Sequence, residues 1–296
     1  MSVHQRIAIT GASGLIGTAL VGHLKAEGHT VQRLVRRTPV GADEVQWDPQ
    51  TGFVDLEPLR GVDAVIHLAG VGVGDKRWSK KYKSEILNSR LLGTTAIAKA
   101  VAELKPQVFI SASAIGWYGE SGNRAVVETD RVGDDFLAAV CREWEAAADL
   151  AQDVRTVKIR TGLVLDPTGG ALGKMLPLFR LGLGGKLGNG KQWWSWITLH
   201  DQIRAIVFAL ENPISGPVNL TAPNPVTNQE FTAALARAMH RPALFPAPAI
   251  ALKIALGGFS SEILGSKKVI PHVLQEAGFI WDYPHISEAL SALIED

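Results

Sequence analysis

Apolar residues gather along this chain in short runs of strand length, at 7–10 (IAIT), 31–35 (VQRLV), 64–68 (AVIHL), 107–112 (QVFISA) and 154–160 (VRTVKIR). Between them the apolar positions fall at helical spacing, the mark of segments that bury one face. After Gly17 the positions Ile16, Leu20 and Leu24 repeat every four residues, and Gly28 stands where a helix would stop. Residues 84–104 carry Ile86, Leu92, Ile97, Val101 and Leu104 on a broad apolar face, and Pro106 then restarts the chain as a strand. Residues 136–151 place Leu137, Val140, Cys141, Trp144 and Ala148 on one stripe. Strands alternating with helices predict an α/β fold, a doubly wound parallel sheet with crossover helices on both faces.

The pattern changes after residue 165. The stretch 166–196 is rich in glycine and tryptophan and reads as a loop-built wall around a ligand. A helix is expected near 202–211 with Asp201 as its N-cap, and GPVNLTA supplies a further strand. Thr227-x-x-Glu230 reads as a capping box for a helix to about residue 239, and two more helical segments are expected near 249–256 and 267–277. Two units follow: residues 1–165 with 197–222 as the nucleotide-binding domain, and 166–196 with 223–296 as a small, mostly helical C-terminal substrate lobe.

The 296 residues hold 30 Lys and Arg against 29 Asp and Glu, so no global charge argues for nucleic acid or an anionic membrane as partner, and neither is expected. A single cysteine, Cys141, excludes an intrachain disulfide framework and fits a reducing compartment. The opening residues carry no apolar signal core and no run of about 18 apolar residues occurs, so the expectation is a soluble, cytoplasmic protein.

The first strand runs into Gly11-x-x-Gly14-x-x-Gly17, with a helix directly after it. Glycine is needed where the backbone turns tightly, where it approaches a pyrophosphate, and where helix packs on strand; the helix start then offers free N–H groups to the phosphates. This is the context of a Rossmann-type dinucleotide site. At the end of the second strand an acid would bind a ribose 2′-hydroxyl, but the chain reads Val35-Arg36-Arg37. A guanidinium suits a 2′-phosphate, which makes NADP the expected cofactor and Arg36 its main contact; a solvated arginine pair is the alternative.

With TGASGLIG, DAVIHLAG, ISASAIGWYG, KIRTGLVL and WSWITLHDQIRAI in one order, the chain resembles the extended short-chain dehydrogenase/reductase superfamily. More narrowly it resembles an atypical epimerase-like family (NAD-dependent epimerase/dehydratase-like) with its own C-terminal domain of unknown function. The narrower markers are KRW at 76–78, ILNSR at 86–90, CREWEAAA at 141–148 and the tail from KKVIPHVLQ onward. The resemblance implies NADP binding, with Gly11, Ser13, Gly14, Leu15, Ile16 and Gly17 around the pyrophosphate. It further implies Leu68, Ala69 and Gly70 on the adenosine-ribose side, Glu85 and Arg90 facing the cofactor groove from the next helix, and Leu163 at the nicotinamide half.

The catalytic positions depart from that pattern. Relatives use a serine to orient the reacting oxygen, a tyrosine as acid/base and a lysine four residues on. Ser113 matches the serine, but the 136–151 segment holds neither tyrosine nor lysine; two alignments put Leu137 and Cys141, or Cys141 and Glu145, in their place. Tyr118 is the nearest phenol and the candidate replacement, with water as the other route for the proton. Three further clusters stay open between ligand contact and packing: Trp193, Trp194 and Trp196 with Gln192; His200 with Asp201; and Arg77, Trp78 and Lys83, whose cations suit an anionic substrate such as a nucleotide sugar. Two functions are therefore expected: an NADP-dependent oxidoreductase or epimerase-like enzyme acting on a small molecule, or a non-catalytic NADP(H)-binding sensor.

Overall fold

The structure, a computed structural model, describes residues 4–295; residues 1–3, which bear on the expectation of no apolar signal core, and residue 296 lie outside it. In chain order the first elements are β1 (Arg6–Thr10), α1 (Leu15–Ala26), β2 (Thr30–Val35), β3 (Glu44–Asp48), β4 (Phe53–Val54) and β5 (Ala64–His67). They are followed by α2 (Lys80–Leu104), β6 (Val108–Ala114), β7 (Ala125–Val126), α3 (Phe136–Ala148), β8 (Arg155–Thr161) and β9 (Leu163–Asp166). Next come α4 (Gly170–Arg180), β10 (Trp193–Trp194), β11 (Trp196–Thr198), α5 (Leu199–Glu211), β12 (Gly216–Leu220) and β13 (Val226–Thr227). The chain ends with α6 (Asn228–Ala238), α7 (Ala249–Leu256), α8 (Ser260–Leu264), β14 (Lys268–Val269), α9 (His272–Glu276) and α10 (Ile286–Glu295).

Eight strands form one sheet in the order β12-β8-β6-β5-β1-β2-β3-β4, parallel except for the β3/β4 edge. Alternation along each strand sends Ile7, Ile9, Ile66, Ile110 and Val218 to the face covered by α1 and α5, and Ala8, Val65 and Phe109 to the face under α2 and α3. Leu20 and Leu24 of α1 are fully buried against the sheet, each contributing roughly 1.5–3 kcal/mol. The chain builds outward from β1 to β2, then returns to β5 on the other side. That reversal opens a crevice at the carboxyl ends of β1 and β5, where ligands of such sheets bind.

A third apolar cluster joins Leu172, Leu176 and Phe179 of α4 to Phe231 of α6 and to Ala289 and Leu290 of α10, with Trp196 at its centre. The 166–196 segment is therefore not all loop. Apolar residues at 172, 176 and 179 bury one stripe of an 11-residue helix despite Pro177, a pattern masked in sequence by the surrounding glycines. The expected helix at 267–277 is also shorter, a two-residue strand followed by α9. Leu274 of α9 and Phe279 return to pack on the sheet's α1/α5 face.

Caps fix the helix starts. The Ser79 hydroxyl accepts from Tyr82 N, the Asp135 carboxylate from Ala138 N, and Thr227 with Glu230 forms the capping box. Thr198, not Asp201, caps α5. Asp201 lies one turn in, accepting from Asp282 N, Tyr283 N and the Arg204 guanidinium, and so ties α5 to the start of the C-terminal turn.

Candidate functional site

The glycine loop is set by contact. Gly11 has φ +71°, and a Cβ there would meet the Leu68 carbonyl carbon at 2.8 Å; a Cβ on Gly17 would lie 2.1 Å from the Gly11 carbonyl oxygen. Neither position admits a side chain without moving backbone. At Gly14 the nearest atom to such a Cβ is 3.4 Å away, so this glycine leaves open the side on which a ligand would approach. Gly14 caps α1 without a side-chain bond, and the first turn of α1 holds no acid. The free N–H groups and the positive end of the helix dipole thus meet the cleft unneutralised. Ser13 is exposed and its hydroxyl has no hydrogen-bond partner among the described residues.

Facing the loop, the Thr10 hydroxyl accepts from the amides of Leu68 (3.1 Å) and Ala69 (3.3 Å) and donates to His67 Nδ1 at 2.7 Å. Burial pushes the His67 imidazole down to about 3, so it stays neutral, edge-on to Trp47. This Thr10–His67 clamp, absent from the sequence reading, fixes the strand end that Gly11 touches. Gly70 follows it, close under the Arg90 guanidinium.

At the end of β2, beyond the half-buried Val35, the two arginines divide. Arg37 forms a two-pronged pair with Glu44 at 2.8 and 2.6 Å, which holds that carboxylate down to about 2. Arg33, in mid-strand, is committed to Asp43. Arg36 is exposed and makes no hydrogen bond or ion pair among the described residues.

A cavity of about 390 Å³ runs from the glycine loop along β6 and β8, lined by Leu15, Ile16, Leu68, Ser113, Trp144 and Leu163 among others. Ser113 Oγ donates to Glu145 Oε1 at 2.7 Å. Glu145 is held by Arg160 through Nε (2.8 Å) and Nη2 (3.0 Å), a buried ion pair; Arg160 also donates to the Tyr118 hydroxyl at 3.0 Å and the Glu128 carbonyl. Tyr118 donates in turn to Asn219 Oδ1 at 2.7 Å. The phenol is 4% exposed, and its burial pushes it up to about 12. Tyr118 therefore belongs to a buried network behind Ser113, not to the cavity lining.

Leu137 and Cys141 pack under Gly116, 3.2 and 3.4 Å from where its Cβ would be. Burial, with Glu145 nearby, pushes the Cys141 thiol up to about 12, which leaves it inert. Trp144 is 6% exposed, lines the cavity, and its Nε1 has no partner among the described residues. The sequence stripe hid this donor as core. Arg90 stacks on the Trp144 ring at 4.7 Å and donates to the Val71 carbonyl at 2.9 Å. Glu85 pairs with Lys76 at 3.9 Å and not with Arg90.

The remaining clusters resolve toward packing. Trp196 is fully buried, Trp194 meets Phe231 edge-on, and Trp193 donates to Asn123 with Lys268 over its ring. Gln192 donates to the Leu187 carbonyl. His200 bonds Asp282 at 2.6 Å, not Asp201. Trp78 packs on Phe136 and Phe259, with Lys83 over Trp78 and the exposed Arg77 against Gly257.

A parallel sheet with a switch-point crevice, a glycine-rich loop and a helix start without a side-chain cap give the Rossmann-type fold of the short-chain dehydrogenase/reductase class. The NAD dependent epimerase/dehydratase family profile matches residues 7–221 and a domain of unknown function, DUF1731, matches 247–293; the chain belongs to this epimerase/dehydratase family. An epimerase family protein of Mycobacterium leprae is 46% identical over 96% of this chain and 94% of its own length. An Arabidopsis thaliana relative named epimerase family protein SDR39U1 homolog, chloroplastic, is 38% identical over 98% of this chain and 86% of its own. The crystal structure of human epimerase family protein SDR39U1 (isoform 2) with NADPH superposes with a TM-score of 0.91 at 34% identity, over 98% of this chain and 99% of the human one. No helix among the described residues is long and apolar enough to cross a membrane.

Proposed function

We propose that this chain binds NADP(H) in the cleft over the glycine loop and exchanges hydride with a carbonyl or alcohol carbon of a small substrate. The observation that carries the reading is the uncapped, acid-free start of α1 above glycines that admit no Cβ, with Arg36 as the unpaired cation at the end of β2. The human relative crystallised with NADPH supports it. Bound, the cofactor would supply or accept hydride at its nicotinamide ring. Gly11, Gly14 and Gly17 with Ser13, Leu15 and Ile16 hold the pyrophosphate, Arg36 clamps the 2′-phosphate, and Leu68 to Gly70 flank the adenosine ribose.

Because the Ser113 hydroxyl donates its hydrogen bond to Glu145, its oxygen is left as an acceptor and orients a substrate hydroxyl. Trp144 Nε1 is the free donor beside it. Tyr118 serves as a positioning residue that steadies Arg160, and the proton travels by water, since a phenol held near 12 and engaged on both sides is a poor acid/base at neutral pH. Arg77 and Lys83, on the loop and helix that follow β5 at the carboxyl edge of the sheet, favour an anionic substrate such as a nucleotide sugar. With the chain divided into 1–165 with 197–222 and 166–196 with 223–296, that substrate would lie between sheet and lobe, and the single buried cysteine favours a reducing cytoplasmic setting.

Leu137 and Cys141 in place of the usual tyrosine and lysine favour the other function, a non-catalytic NADP(H) sensor. A screen of carbonyl compounds and nucleotide sugars that follows NADPH absorbance separates the two. Turnover that falls roughly 10²-fold or more in Ser113→Ala, with NADPH affinity retained, supports the enzyme. Tight NADPH binding with no turnover on any substrate, or turnover indifferent to Ser113→Ala, supports the sensor.

A further inference from the structure

The near-zero net charge conceals a segregated surface on the C-terminal lobe. Residues 167–200 contain four Lys and Arg and no acid, and residues 231–261 contain three and no acid. None of these seven cations forms an ion pair among the described residues. Seven of the eleven exposed large apolar side chains among the described residues lie in the same two segments, between 178–183 and 244–254; Leu181, Leu244 and Ile250 are each 73% exposed and Ile254 69%. Backbone hydrogen bonds from Phe245 N to Gly184 O (3.1 Å) and from Ala247 N to Lys186 O (2.9 Å) join the segments into one surface.

At its prow stands α7, an eight-residue helix of sequence AIALKIAL in which no residue is buried. Over residues 242–259 the sole polar side chain is Lys253. A soluble protein gains nothing by exposing such a patch unless something covers it.

We infer that this face docks on an anionic phospholipid surface, with Ile250 and Ile254 entering the interface and the Lys and Arg of the two segments meeting the headgroups. Apolar side chains that insert, with unpaired cations on the same lobe, are the pattern of peripheral membrane attachment. A second copy of the chain fits poorly, because a two-fold contact would set these two acid-free segments against themselves. A folded protein partner needs directional contacts, about one hydrogen bond per 100–200 Å² of interface, and 242–259 offers one polar side chain. This reading revises the expectation of no membrane partner. That expectation weighed the total charge, whereas membrane attraction acts within a Debye length and depends on local charge.

Flotation of the full chain with vesicles of phosphatidylcholine containing about one third phosphatidylglycerol tests the inference against pure phosphatidylcholine vesicles. Expected is anionic-vesicle binding roughly tenfold or more above neutral vesicles and reversed by about 0.5 M salt. The double variant I250D/I254D should lose at least about tenfold of that binding while NADPH affinity, read by fluorescence, stays unchanged. Equal binding to both vesicle types, no binding, or binding indifferent to the double variant would overturn it. Concentration-dependent dimers abolished by I250D/I254D would assign the face to a second copy, and binding to polyglutamate without vesicle binding would assign it to an acidic protein.

Discussion

At the scale of single residues, Arg36 and Ser113 carry most of the functional weight, and each is defined by what its neighbours do. Arg37 is occupied by Glu44, so only Arg36 is free at the strand end. Arg36→Ala should weaken NADPH binding by roughly 10- to 100-fold, the loss of a charge-assisted contact worth about 1.5–3 kcal/mol, and leave NADH binding unchanged. Trp144→Phe keeps the ring under Arg90 but removes the unpartnered donor. We expect cofactor or substrate affinity to fall roughly 3- to 10-fold with thermal stability held, and unchanged affinities by titration would remove Trp144 from the site. The Arg-Arg signal was legible in sequence. Which arginine was free was not, because Glu44 lies on a strand with no sequence pattern linking it to residue 37.

At the scale of elements, the α1 start and the β1/β5 contact form one unit. A Cβ on Gly17 collides with the Gly11 carbonyl, so Gly17→Ala should lower stability by about 1–3 kcal/mol and abolish NADPH binding, read by melting and by fluorescence titration. The alternation of β1, β5, β6 and β8 and the periodicity of α1 to α3 make these elements legible in the sequence, since each buries a regular face. The elements that escaped are the ones whose pattern is broken: α4, with its glycines and Pro177, and the β3/β4 edge, whose two short strands EVQWD and FV form no apolar run. The missing tyrosine and lysine were visible directly on α3. That Cys141, at one of those positions in either alignment, is inert and that the neighbouring Trp144 carries an orphan indole N–H are matters of burial and not of sequence spacing.

On the scale of the whole molecule, a buried network couples the cavity to the C-terminal lobe. It runs from Ser113 through Glu145, Arg160 and Tyr118 to Asn219, whose side chain donates to the Ile270 carbonyl, and Glu128 accepts from both Asn219 N and Val273 N. Removing one charge, as in Glu145→Leu, leaves the Arg160 guanidinium buried without its counter-ion and should cost about 3–5 kcal/mol in urea unfolding. None of this chain of bonds was legible in sequence, because its members are brought together from positions up to 145 residues apart. His67 gives the fold a pH dependence. It is neutral when folded, with a value near 3 against an ordinary 6.5, so the unfolded chain takes up a proton the native one does not. Stability from this group is intact above pH 6.5 and is lost as pH falls toward 3, by about 1.4 kcal/mol per pH unit. Replacing His67 with Gln should flatten that slope by one proton in melts between pH 7.5 and 4.5.

The central claim is that the glycine loop and Arg36 together make an NADP(H) site. Its most direct test is a pair of equilibrium titrations, NADPH and NADH, on the native chain and on Arg36→Ala. We predict that the native chain prefers NADPH by at least about tenfold and that the variant binds both equally weakly. Equal native affinities for the two cofactors, or a preference that survives the loss of Arg36, would contradict it.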